Sequence, residues 1–225
     1  KIATIGKINI SKTKLPKISN FVKNNDLPIK DFLFDENLTY FLGAMLGDGY
    51  SGAEFDNLDI IYKGSPCIVG MDEEVFNAIK QIAKHFELGY RQNKNHHGTK
   101  QIILSKNKWF REFLLRCGIE KRDKKCIDDS LMKMNLNLTS ALLRGLFDTD
   151  GHVQKNRLIG FDNISEKLIK QMQKLLLRFG IVSRIRKKPA GSMKIYGKIY
   201  DTVISYELTI TNKKSILDFY RYIGF

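Results

Sequence analysis

Cysteine is scarce in this chain. Cys67, Cys117 and Cys126 are odd in number and widely spaced, which excludes a disulfide framework and a paired zinc knuckle and points to an intracellular protein with reduced thiols. Long apolar runs are missing too. None reaches the roughly 20 residues needed to cross a bilayer, and no amphipathic arm or lipidation signal offers a surface anchor, so no membrane partner is expected. Acidic residues are in short supply, 24 Asp plus Glu against 38 Lys plus Arg. An initiator Met is absent, Lys1 standing first, which suggests trimming or excision from something longer.

What is present narrows the choice. At 225 residues the chain suits one compact domain or two lobes of roughly 100 residues each. A hydrophobic fraction of 43% can build a core, so the chain is not a disordered basic tail. The formal net charge of +14 points to a polyanionic partner, although charge alone does not separate nucleic acid from an anionic membrane.

The chain says nearly the same thing twice. LTYFLGAMLGDGY (Leu38 to Tyr50) is echoed by TSALLRGLFDTDGH (Thr139 to His152), so that Gly43 matches Gly145, Asp48 matches Asp150 and Gly49 matches Gly151. Downstream, VFNAIKQIAKHFELGY (from Val75) is matched by KLIKQMQKLLLRFGI (from Lys167). Then ILSKNKWFREFLLRCGI (from Ile103) is matched by LTITNKKSILDFYRYIGF (from Leu208). Three matched blocks in one order define two copies of one unit, too large and too few for a solenoid.

Each unit reads as helix, two strands, helix, two strands, helix. The first helix is apolar and ends at Asp-Gly. The middle helices carry Val75, Phe76, Ile79, Ile82 and Phe86, or Leu168, Met172, Leu175 and Phe179, on one face. Strands are expected over 57–62, 66–70, 90–93 and 100–104 in the first copy, and over 156–161, 182–186 and 203–210 in the second. Ser105 and Thr211 or Asn212 are plausible caps for the last helices. The fold class is therefore α+β: two pseudo-symmetric αββαββα repeats, each with an antiparallel sheet, packed through the two motif helices. A lead-in arm spans residues 1–36, the first repeat 37–119, a charged linker 120–137 and the second repeat 138–225.

The paired motif helices are chemically odd. Gly43 and Gly47 lie on one face, and Gly145 and Thr149 hold the equivalent places. Glycine costs about 1 kcal/mol against Ala within a helix; close approach of two helix backbones is the reason to keep it. Asp48 and Asp150 each stand where a helix ends, a position the helix dipole disfavours by about 0.3–1 kcal/mol. Bringing two such carboxylates together costs more. A divalent cation offsets both penalties, and oxygen donors without a softer ligand suit Mg²⁺. Asp-Gly is by itself only a common turn signal; two at equal places in a repeat carry more weight.

FLGAMLGDG (Phe41 to Gly49) and LLRGLFDTDG (Leu142 to Gly151) resemble the paired motifs of LAGLIDADG homing endonucleases in their monomeric two-motif form, over roughly residues 37–225. The second motif looks especially like endonuclease domains carried within inteins. The resemblance implies that Asp48 and Asp150 are catalytic and bind two or three shared Mg²⁺ ions. It implies a double-strand cut in duplex DNA at a long asymmetric site, with short 3′ overhangs, by a protein working as a monomer. A basic residue usually joins such sites, and the cluster EKRDKKC nominates Lys124 or Lys125. Such a family also implies sheets that lie in the major grooves. Arg91, Lys94 and Lys100 in the first half, and Arg184, Arg186, Lys187, Lys188, Lys194 and Lys198 in the second, are the candidates for DNA binding. His96 and His97 lack partners for zinc. A catalytically inactive DNA-binding protein, or an RNA maturase on the same scaffold, is the alternative.

Overall fold

A computed structural model describes residues 34–57, 59–70, 72–94, 99–154, 158–195 and 198–225. Most of the expected lead-in arm, together with His96 and His97, lies outside them. The first half begins with α1 (Glu36–Asp48), then β1 (Gly49–Tyr50), β2 (Ala53–Asp56), β3 (Asp59–Tyr62) and β4 (Cys67–Gly70). It continues with α2 (Glu73–His85), β5 (Tyr90–Lys94), β6 (Lys100–Leu104) and α3 (Lys108–Arg116). After a 3-10 turn at Arg122–Lys124 and the short α4 (Asp129–Met132), the second half opens with α5 (Leu136–Asp150). There follow β7 (Gly151–Val153), β8 (Ile159–Asn163), α6 (Glu166–Leu177), β9 (Arg184–Lys188), β10 (Gly191–Ile195), β11 (Lys198–Thr202), β12 (Ser205–Ile210) and α7 (Lys213–Tyr222).

The two main sheets are antiparallel and equivalent: β1-β4-β6-β5 in one half and β7-β8-β12-β9 in the other. Each half adds a separate two-stranded hairpin, at different points in the chain: β2–β3 after the first motif, and β10–β11 between the last two strands of the second sheet. The strand expected over 57–62 therefore forms, but in the hairpin. Its place beside β4 is taken by β1, two residues that leave the motif helix directly.

Helix starts follow short polar side chains. Asp35, Asp72, Asn107, Asn135, Ser165 and Asn212 each accept a backbone N–H of the first turn. The last helix of the first half is thus capped by Asn107, two residues beyond Ser105. The linker is not a solvated run: Ile127, Leu131 and Met134 are buried in the core. Gln171 of α6 grips it on both sides of one residue, accepting from the Ile127 N–H at 2.8 Å and donating to the Ile127 carbonyl at 2.6 Å.

The centre of the molecule is the contact between α1 and α5, the most extensive of any pair of elements. A Cβ on Gly43 meets the Leu142 carbonyl, and one on Gly145 meets the Tyr40 carbonyl. Gly47 is packed onto the Thr149 side chain in the same way. Small residues at these places let the backbones touch. Leu38, Phe41, Leu42, Met45, Leu142, Leu146 and Phe147 carry the helices into one continuous core.

Candidate active site

Both motif helices run straight into a strand. Gly49 and Gly151 are extended (φ −89° and −80°), and each N–H still caps its own helix, on the Met45 and Phe147 carbonyls. Because β1 and β7 are the edge strands of their sheets and α1 packs on α5, Asp48 and Asp150 meet between the two sheets. They line one side of a cleft of about 560 Å³ with Tyr50, Glu54, Lys125 and Asn163.

The two carboxyl groups interact directly, and the protonation of one depends on that of the other. Partial burial, then the Asp150 carboxylate, push the Asp48 carboxyl up to about 7, while Lys125 pulls it down. Asp48 is nevertheless open to the cleft. Burial also raises Asp150, opposed by Lys125 and by the Asn163 amide, whose Nδ2 donates to Asp150 Oδ2 at 3.1 Å. Two like charges held this close keep a proton between them unless a cation replaces it.

The lysine pair divides cleanly. Lys125 is buried, its ammonium donates to the Gly47 carbonyl at the end of α1, and burial holds its pKa below the ordinary lysine value against the pull of Asp150 and Asp48. Its own carbonyl accepts from the Ser165 hydroxyl at 2.5 Å. Through Lys125 the linker thus ties the start of α6 in the second half to the end of α1 in the first. Lys124 instead points out, 3.7 Å from Glu120.

Asn163 has no counterpart in the motif and no signal in the sequence. It stands two residues before the α6 cap Ser165, whose N–H its Oδ1 accepts at 2.9 Å. The matching place before the α2 cap Asp72 is Gly70. Asp148, which has Leu46 as its counterpart, accepts from the Tyr40 hydroxyl at 2.8 Å across the helix pair.

Strand pairing sorts the basic residues. Ile68 and Ile102 face the helices, so Tyr50, Cys67, Ile103 and Arg91 share the open side of the first sheet with Val69, Gln101 and Asn93. Lys94 and Lys100 fall on the helix side, and Lys100 pairs with Glu73 of α2, which departs from the groove contact expected of it. In the second sheet Phe161 and Leu208 face the helices. Arg184, Arg186 and Lys188 occupy the open side with His152, Asp162 and Glu207, whereas Lys187 pairs with Tyr206 on the helix side. Lys194 and Lys198 lie in the β10–β11 hairpin, their side chains outside the described residues.

Residues 137–224 match the LAGLIDADG-like domain family. The fold matches that of I-DmoI in complex with DNA and Mn, with a TM-score of 0.57 and 15% identity over 84% of this chain and 96% of that one. The chain has the two-motif LAGLIDADG fold. The same fold occurs in the N-terminal LAGLIDADG domain of WhiA, with a TM-score of 0.51 and 16% identity over 89% of this chain and 87% of that one. Among curated sequences, this chain is 33% identical to the ATP-dependent DNA helicase Hel308 of Methanocaldococcus jannaschii over 97% of its own length, but over 18% of the helicase. It is 26% identical to the replication factor C small subunit of the same organism, over 85% of the chain and 10% of that protein. It spans less than a fifth of the length of these relatives.

The donor set at the centre fits a hard divalent cation. Two carboxyl groups that resist ionising side by side meet there, and neither sulfur nor imidazole lines the cleft among the described residues. I-DmoI has been solved with Mn and with Ca. Among the described residues, no helix is long and apolar enough to cross a membrane.

Proposed function

We propose that this protein is a divalent-metal-dependent endonuclease that cuts both strands of duplex DNA at a long asymmetric target, acting as a monomer and leaving short 3′ overhangs. The observation that carries the reading is the pairing of Asp48 with Asp150 beside buried Lys125, at the seam of two sheets. The two aspartates would hold Mg²⁺, which neutralises charge at the phosphate and activates a water for hydrolysis. Asn163 orients the Asp150 carboxylate, and the Lys125 ammonium places a fixed positive charge and a proton donor at the same point. The open faces of the two sheets take the duplex on either side, with Arg91, Arg184 and Arg186 available to phosphates and base edges. Relatives of unlike function that share only this segment support a further reading, in which the chain is an element carried inside longer proteins, as inteins are.

A duplex binder without cleavage, or an RNA maturase, remains the second reading. Binding a polyanion gains nothing from two carboxylates that resist ionising, and their retention favours cleavage. The test is incubation of the full chain with Mg²⁺ and a plasmid library bearing randomised inserts, followed by capture and sequencing of new ends. Wild type should yield paired ends with 3′ overhangs, and Asp48→Asn or Asp150→Asn should bind DNA without producing them. A wild-type chain that makes no Mg²⁺-dependent double-strand cut overturns the proposal.

A further inference from the structure

Asp162 and Glu207 face each other across β8 and β12 on the open side of the second sheet. On a surface meant for a polyanion, two bare carboxylates repel. Here they are neutralised in place. Lys188 Nζ lies 2.6 Å from Asp162 Oδ1 and 3.3 Å from Glu207 Oε1, and Gln154 Nε2 donates to Glu207 Oε1 at 3.4 Å. With His152 the carboxylates form a group whose ligand atoms all lie within 4.8 Å. The Lys188 ammonium already stands where a cation would sit, so this cluster has no need of a metal.

The other Glu207 oxygen, Oε2, takes Arg186: both Nε and Nη2 lie 3.0 Å from it. Glu207 is nearly covered, its side chain 12% exposed, whereas Arg186 stands 66% exposed. A guanidinium carries five N–H groups in a fixed fork. Glu207 holds the Nε–Nη2 edge, which leaves the Nη1–Nη2 end unengaged among the described residues. That end can donate side by side to O6 and N7 of guanine, the commonest specific contact in the major groove.

We propose that Arg186, held by Glu207, reads a guanine in the major groove of the target, and that the Asp162–Glu207–Lys188 network is a specificity element rather than a phosphate clamp. The proposal rests on the duplex-binding reading above. Arg184 supplies the internal contrast. It lies on the same open face, opposite Thr209, and no carboxylate holds it among the described residues. An unrestrained cation suits phosphates, which attract charge without demanding a fixed fork.

The experiment is a binding selection from a randomised duplex library, with Ca²⁺ in place of Mg²⁺, using the full chain and the variants R186K, E207Q and R184A. Wild type should select a consensus with a strongly preferred guanine. R186K keeps the charge and loses the fork, so preference at that one pair should fall roughly 5- to 150-fold. E207Q should weaken preference at the same pair. R184A should lower binding of all sequences and leave the consensus unchanged. Arg186 is exposed, so R186K tests recognition without disturbing the core. An unaltered consensus in R186K overturns the inference, as does loss of that guanine in R184A. A wild-type chain that binds no duplex instead sinks the duplex reading itself, and this inference with it.

Discussion

Lys125 belongs to the linker by sequence and to the site by position, and that is a consequence of its two polar ends. Ser165 of α6 holds its carbonyl, and its ammonium reaches the Gly47 carbonyl beside the paired aspartates. A buried ammonium is tolerated only where carbonyls and carboxylates surround it. Lys125→Met, similar in volume, should therefore lower the single-turnover cleavage rate by about 100-fold or more, in the range of a lost proton donor. Lys124→Met should stay within about twofold, and equal loss in both variants would refute the assignment. The aspartates make a second prediction at this scale. Asp48 in the folded chain titrates near 7, against about 3.9 unfolded. Between those values the folded state keeps a proton that the unfolded state has released. The resulting stabilisation is complete below about pH 4 and is lost as pH rises through 7. Metal-free protein should thus melt lower at pH 8 than at pH 5, and Mg²⁺ should raise the melting temperature more at pH 8, where no proton competes with it. Asp48→Asn should flatten the metal-free slope. Melting curves with EDTA and with Mg²⁺ check all three. Asp48 and Asp150 are legible in the sequence because they end repeated helices. Lys124 and Lys125 are not separable there, since a 3-10 turn has no hydrophobic period to say which one turns inward. Asn163 is invisible, one asparagine at the end of a strand, and its partner position holds Gly70.

At the scale of elements, the α1–α5 contact decides both stability and site geometry, since the carboxylates sit at its end. Replacing Gly145 by Ala gains up to about 1 kcal/mol of helix propensity. The added Cβ, however, meets the Tyr40 carbonyl and the Ala44 backbone N, neither of which can move alone. Overpacking of this kind typically costs about 1–3 kcal/mol, and rigid backbone on the far side puts Gly145→Ala toward the upper end. Gly64→Ala, whose Cβ meets nothing within 4 Å, is the control and should be close to neutral. Urea unfolding of the two variants measures the contrast; a Gly145→Ala chain as stable as wild type would mean that the helices are free to part. The long elements were readable because their apolar faces repeat at 3.6 residues and return in the second copy. The edge strands β1 and β7 were not, since two or three residues carry no alternation. The strand over 57–62 ends up outside the main sheet for another reason: β2 and β3 pair only with each other, which strand propensity cannot reveal.

Across the whole molecule, the pseudo-two-fold axis relates two backbones that their side chains make unequal. The open face of the first sheet carries Tyr50, Cys67, Val69 and Ile103 with one cation, Arg91, among the described residues. The second carries Arg184, Arg186 and Lys188 against Asp162 and Glu207. Two such faces do not offer a duplex the same contacts, so the proposed target should be asymmetric. The inequality reaches the helix interface, where the Tyr40–Asp148 bond has Leu142 and Leu46 at the equivalent positions. It also reaches the centre, where Asn163 holds Asp150 and Gly70 offers Asp48 no amide. Catalytic groups act only when oriented, and misplacement on the order of 1 Å can cost about 100-fold in rate. The two strands should therefore be cut at different rates, and a supercoiled plasmid carrying the target should pass through a nicked circle before it becomes linear. Asn163→Gly makes the two sides alike at this position. If the amide sets the difference, that variant should slow the faster cut and narrow the gap between nicking and linearisation. Direct conversion of supercoiled to linear DNA by the wild type, with no nicked species on any timescale, would show that the two centres work as equals despite their unlike surroundings.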